Sequence, residues 1–198
     1  MSGRAVEFGF DELVMHRFGF LRRSGFSVVR ADDDLIRFES AERFVIVSFG
    51  RLDYQVAVDL GRWIEATGGW REEAYPLAHL VAVETGEERL DRARSVTSRE
   101  ALDRELIRLA TLMEQHLSAF IGGSDEFDRM RELNAKQSAV FVDAGQAARL
   151  RTHAEEAWRQ RDLAGVVLAY EQIDSELTSV ALTKSERARL EYARRHLL

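Results

Sequence analysis

The feature that most restricts this chain is the shortness of the links between its β-rich runs. Residues 26–30, 35–40, 43–49 and 54–60 are short, β-branched or aromatic segments. Asp32, Asp33 and Asp34 separate the first two, Ala41 and Glu42 the next two, and Gly50 to Asp53 the last two. A parallel connection needs a crossover of a dozen or more residues, so links of this length admit only hairpins. The sequence therefore predicts an antiparallel, sequentially ordered four-stranded meander. In the last run Tyr54, Val56, Val58 and Leu60 alternate with Gln55, Ala57 and Asp59, giving one buried and one outward face.

A sheet with one apolar face needs a second layer. Leu13, Val14, Phe18 and Leu21 recur at helical spacing within 11–24, and Gly25 supplies a stop, so a helix is expected across the sheet. Beyond the glycines and tryptophans of 61–70 the period becomes helical. A helix over 74–83 would tolerate Pro76 in its first turn. Thr97 with Glu100 fits a capping box ahead of the stripe Leu102, Leu106, Leu109, Met113, Leu117 and Phe120, which Gly122 and Gly123 end. Ser124 or Asp125 can cap the next helix, which carries Phe127, Met130 and Leu133. Arg161 and Asp162 suit a short helix–helix link, and Thr183 with Glu186 repeats the capping-box spacing. The fold class read from these patterns is α+β, an N-terminal helix on a four-stranded antiparallel meander in 1–69 followed by an all-helical portion in 70–198.

Composition narrows the function. The 198 residues hold 34 acidic and 28 basic side chains, no cysteine and 45% hydrophobic residues. No disulfide, thiol nucleophile or cysteine-ligated zinc can form. A net charge of −6 argues against a whole-chain footprint for nucleic acid. No long uncharged apolar run predicts a membrane span, and residues 1–7 lack the basic-then-apolar pattern of a signal peptide, so a cytoplasmic setting is expected.

Motifs for chemistry are sparse. His16, His79, His116, His153 and His196 include no two at zinc-motif spacing, and no Gly-x-Ser-x-Gly or phosphate-cradling glycine pattern occurs. Asp32, Asp33 and Asp34 read as a solvated turn rather than a calcium loop. The reading is a non-enzyme with no cofactor and no bound metal. The alternatives are a secretion-type chaperone and an enzyme whose site is assembled between sheet and helices. For binding, Trp63, Trp70 and Tyr75 beside Arg62 and Arg71 are the informative group, because Trp, Tyr and Arg dominate interface hot spots. They are candidate partner contacts, and equally candidates for plugging a seam between sheet and helices.

Two resemblances follow from named residues. Ala154-Glu155-Glu156-Ala157-Trp158, Arg161-Asp162, Val166 to Tyr170, Leu182-Thr183 and Leu190 to Arg194 resemble a tetratricopeptide helix pair without its usual glycine and proline. That resemblance implies a packing mode and a protein-binding groove. The step Phe20-Leu21-Arg22-Arg23-Ser24-Gly25-Phe26, ahead of the runs 36–40 and 54–58, is similar to that of uncharacterised bacterial α+β proteins which resemble immunity proteins of toxin systems. The resemblance implies a protein partner, a toxin or effector, and the acidic balance suits a basic one through electrostatic steering.

Overall fold

A computed structural model describes residues 4–50, 52–87, 94–123, 125–177 and 179–197. The chain divides into two compact units, Met1–Leu133 and Asn134–Leu198. The expected division after residue 69 falls instead at the start of a β-strand, and the sheet shares its unit with the helices that follow it.

The first unit opens with three short helices, α1 (Arg4–Phe8), α2 (Phe10–Arg17) and α3 (Phe20–Arg23), in place of one helix over 11–24. Phe18 and Gly19 interrupt the run, which lets Phe18, Phe20 and Leu21 all turn inward. The strands are β1 (Ser27–Asp32), β2 (Leu35–Glu39), β3 (Arg43–Phe49), β4 (Val56–Ala66) and β5 (Gly69–Pro76), in the order β1-β2-β3-β4-β5 and antiparallel throughout. The meander is as expected, but the sheet has five strands, not four. Gly61 does not end β4. It lies inside the strand opposite Phe44, and the chain reverses at Thr67 and Gly68, where Gly68 and Gly69 take positive φ values of 105° and 124°. A two-residue turn of that kind favours glycine, so the glycine pair marks a hairpin rather than the end of the sheet.

Pro76 closes β5, since it has no N–H to continue the ladder, and immediately precedes α4 (Leu77–Thr85). The helix expected over 74–83 thus begins later. Then come α5 (Arg99–Gln115), α6 (Leu117–Gly122) and α7 (Asp125–Gln160). The cap of α5 is Ser98, whose side chain accepts from the Ala101 N–H at 3.2 Å, one residue on from the expected Thr97. Ser124 lies outside the described residues.

Pleating sorts the sheet residues onto two faces. Ile36, Phe38, Val45, Val47, Val58 and Leu60 face the helices and join Phe10, Val14, Leu21, Leu102 and Leu106 in one buried core. Burial of that surface is what holds the two layers together. Phe44 points to the opposite face, yet it too is fully buried.

The second unit contains the rest of α7, then α8 (Leu163–Glu176) and α9 (Lys184–His196). The link at Arg161 and Asp162 is as read, with Asp162 accepting from the Gly165 N–H at 2.9 Å. The Thr183–Glu186 capping box is formed in both directions. Ala154, Ala157, Val166, Tyr170, Ile173, Leu190 and Ala193 make a separate core.

Candidate functional site

The register shows why β4 and β5 stand out. The pairing of β3 with β4 runs from Phe49↔Val56 to Arg43↔Arg62, while β4 and β5 continue from Trp63↔Glu72 to Ala66↔Gly69. Beyond Arg62 the two strands form a ribbon on their own, joined to β3 by the Trp63 N–H, which donates to the Glu42 carbonyl at 3.3 Å.

The five candidate contacts are divided by this ribbon. Arg62 and Tyr75 lie on the helix-facing side. The Arg62 Nε–H donates to Glu73 at 2.7 Å, Arg131 of α7 donates to the same carboxylate at 2.7 Å, and the Tyr75 hydroxyl donates to it at 2.9 Å. Arg62 also reaches Asp128 at 3.2 Å and sits 4.7 Å over the Phe127 ring. Burial by itself would raise the Glu73 carboxyl, but the hydrogen bonds from Arg62, Arg131 and Tyr75 outweigh it and hold the group below the ordinary glutamate range. Tyr75 is buried and packs against Phe127 and His79, so it is the ring that fills the space between sheet and helices.

Trp63 and Trp70 lie on the opposite face. Trp63 is half-buried against Phe44 at 5.7 Å, and the Arg37 guanidinium covers Phe44 at 4.1 Å while pairing with Glu39 and Glu72. Trp70 is 70% exposed, diagonally across the ribbon from Trp63, whereas Arg71, also exposed, pairs with Ile64 and so lies on the same face as Arg62 and Tyr75. Glu65 and Glu72, directly opposite Trp70 and Trp63 in register, share this face and are exposed. The ribbon therefore presents two indoles within an acidic border.

A second feature escaped sequence reasoning. β5 ends at Pro76 opposite Asp59, and Ser95 bridges Gln55, so on that edge β4 has no strand partner over 56–58 among the described residues. A cavity of about 200 Å³ lies there, walled by β4, α4 and α5. Asp59 lines it, half-buried. In the sequence Asp59 is only an outward position of an alternating strand. What encloses it is the turn of the chain from Pro76 into α4, and no local pattern announces that. Burial raises the Asp59 carboxyl above its ordinary range, with the charge of nearby His79 opposing.

A group whose folded-state pKa lies above its unfolded value costs stability wherever it is ionised in the fold, and the cost vanishes below the unfolded carboxylate range. The Asp59→Asn variant is thus expected to melt a few degrees higher than the parent at pH 7. The difference should shrink to nothing as pH falls through the carboxylate range. Equal melting at pH 7 would show that Asp59 is adequately solvated.

Among the described residues no group of three or more His, Asp or Glu side chains is placed to hold a metal ion, and no helix is long and apolar enough to cross a membrane. Asp32 and Asp33 are exposed beside the β1–β2 turn, with Arg30 paired to Asp32. No protein-family model, curated protein or solved structure matches this chain.

Proposed function

We propose that the chain is a non-catalytic bacterial protein-binding module, an immunity-type antidote or adaptor that masks a toxin or effector, and that it grips its partner with the face of the β4–β5 ribbon carrying Trp63 and Trp70. The observation that carries this reading is the exposed Trp70 indole at the end of a two-stranded projection. An exposed tryptophan has ordinary solvation to lose and a large apolar area to bury, the profile of an interface anchor. Glu65 lies directly opposite Trp70, and Arg37 is shared between Glu39 and Glu72, so the face keeps an acidic excess that suits a basic partner, in keeping with a net charge of −6. The anchor residues are Trp70 and Trp63, while Arg71, opposite Ile64 in register, lies on the other face of the ribbon and is left outside the grip. Arg62 and Tyr75 contribute by tying the base of the ribbon to α7. The resemblance of 154–194 to a tetratricopeptide helix pair would suit the same class of role, and its residues Ala154, Ala157, Val166 and Tyr170 belong to one buried cluster.

The test is affinity capture from lysate of the source organism, followed by titration of the recovered partner. The expected result is one stoichiometric partner whose affinity falls about 30-fold or more in Trp70→Ala, since a hot-spot anchor is worth at least ~2 kcal/mol. Binding should also weaken steeply with salt. Undiminished binding by Trp70→Ala would remove the ribbon from the interface, and recovery of the bare chain alone would overturn the binding-module reading.

A further inference from the structure

The cavity beside β4 has a chemistry of its own. Its wall is mainly apolar, with Val58, Leu77, Val81 and Leu112 among the side chains that line it. An apolar cavity of 150 Å³ admits a benzene-sized molecule, so about 200 Å³ has room for a ring with a short tail.

The polar groups at its lining decide which ligand fits. Thr85 is fully engaged, its hydroxyl donating to the Val81 carbonyl at 2.8 Å and accepting from the Glu87 N–H at 3.3 Å. The Arg108 guanidinium is matched by the buried carboxylate of Glu105, with Nε–H donating at 3.0 Å. An anion would have to compete with Glu105 for that charge. Asp59 is different. Burial disfavours the charge of its half-buried carboxylate, and the charge of nearby His79 offsets this only in part. Glu87, exposed at the lining, adds a second negative charge. A carboxylate held against apolar walls and only partly compensated by His79 is a site for a cation that carries its own apolar body.

We propose that this cavity binds a small organic ammonium ion, an alkyl or aromatic amine whose hydrocarbon part fills the space between β4, α4 and α5 and whose protonated nitrogen donates to Asp59. The proposal is independent of the ribbon, which lies at the other end of β4.

Three shape-matched probes test it on the full chain: phenethylamine, 2-phenylethanol and 3-phenylpropionate, titrated by calorimetry and by amide shifts over 56–59 and 108–112. The amine should bind saturably and at least about tenfold tighter than the alcohol, with the acid weakest. In Asp59→Asn the amine and the alcohol should bind within about twofold of each other, the charge-assisted bond being gone. A filling variant, Val81→Phe, should lose all three probes while keeping its circular dichroism. Absence of saturable amine binding by the parent overturns the proposal. So does equal binding of the three probes, or amine selectivity that survives in Asp59→Asn. Should Asp59→Asn fail to fold, the ranking of the three probes on the parent decides by itself.

Discussion

Replacing Glu73 with alanine is expected to destabilise the first unit by about 3 kcal/mol, lowering its melting temperature on the order of 10 °C. The Glu73 side chain is 8% exposed and takes hydrogen bonds from Arg62, Arg131 and Tyr75. Truncation leaves Arg62, itself 14% exposed, without its nearest carboxylate. The penalty is that of stranding a desolvated charge, which exceeds the net worth of the pair. Asp128, still 3.2 Å from Arg62 and 3.1 Å from Arg131, keeps the loss toward the lower end of what breaking a buried pair costs.

The pH dependence distinguishes this from a packing defect. The folded-state pKa of Glu73 lies below its unfolded value, so its contribution is present in full above the ordinary glutamate range and is lost as pH falls through the lower folded value. Denaturant melts of the parent and Glu73→Gln should therefore converge in acid and diverge at neutral pH. A gap of the same size at every pH would assign the loss to shape. Because β5 carries Glu73 and α7 carries Arg131, the same variant should loosen the ribbon and weaken partner binding even with Trp70 intact.

The sequence made the antiparallel meander legible because its evidence is local. Val56, Val58 and Leu60 alternate, and links as short as Ala41-Glu42 permit nothing but a hairpin. It also gave the Thr183–Glu186 cap and the Arg161-Asp162 link, again from neighbours in the chain. The fifth strand was not legible, because the reason for Gly61 is an aromatic ring 17 positions away on another strand. The candidate contacts were found as a group but not sorted. Arg62 and Trp63 are adjacent in sequence and opposite across the pleat, so one enters the Glu73 network and the other the surface shared with Trp70. Asp59 was invisible for a similar reason, since its enclosure depends on where Pro76 falls in the register.

Gly61→Val is expected to cost the fold about 3 kcal/mol, and the sign of the effect is the informative part. A glycine inside a strand is ordinarily a weakness, and filling it would gain roughly 0.5–1 kcal/mol from the unfolded chain alone. Here a Cβ would fall within the Phe44 ring, which lies directly over Gly61. That ring has nowhere to go, with the Arg37 guanidinium 4.1 Å above it and Trp63 5.7 Å to its side. Overpacking at a closed site costs about 1–3 kcal/mol and takes the upper end for a branched side chain. Phe44→Ala by itself should cost about 3–5 kcal/mol as a large-to-small change at a fully buried ring. The double variant Gly61→Val with Phe44→Ala should be less destabilised than the sum of the two by more than ~1 kcal/mol, because each change supplies the volume the other disturbs. Additive losses would mean that Phe44 does not define the space above Gly61. Trp63 rests on the same ring, so the single Gly61 variant should also weaken capture of the partner, and the double variant should recover part of its folding without recovering that grip.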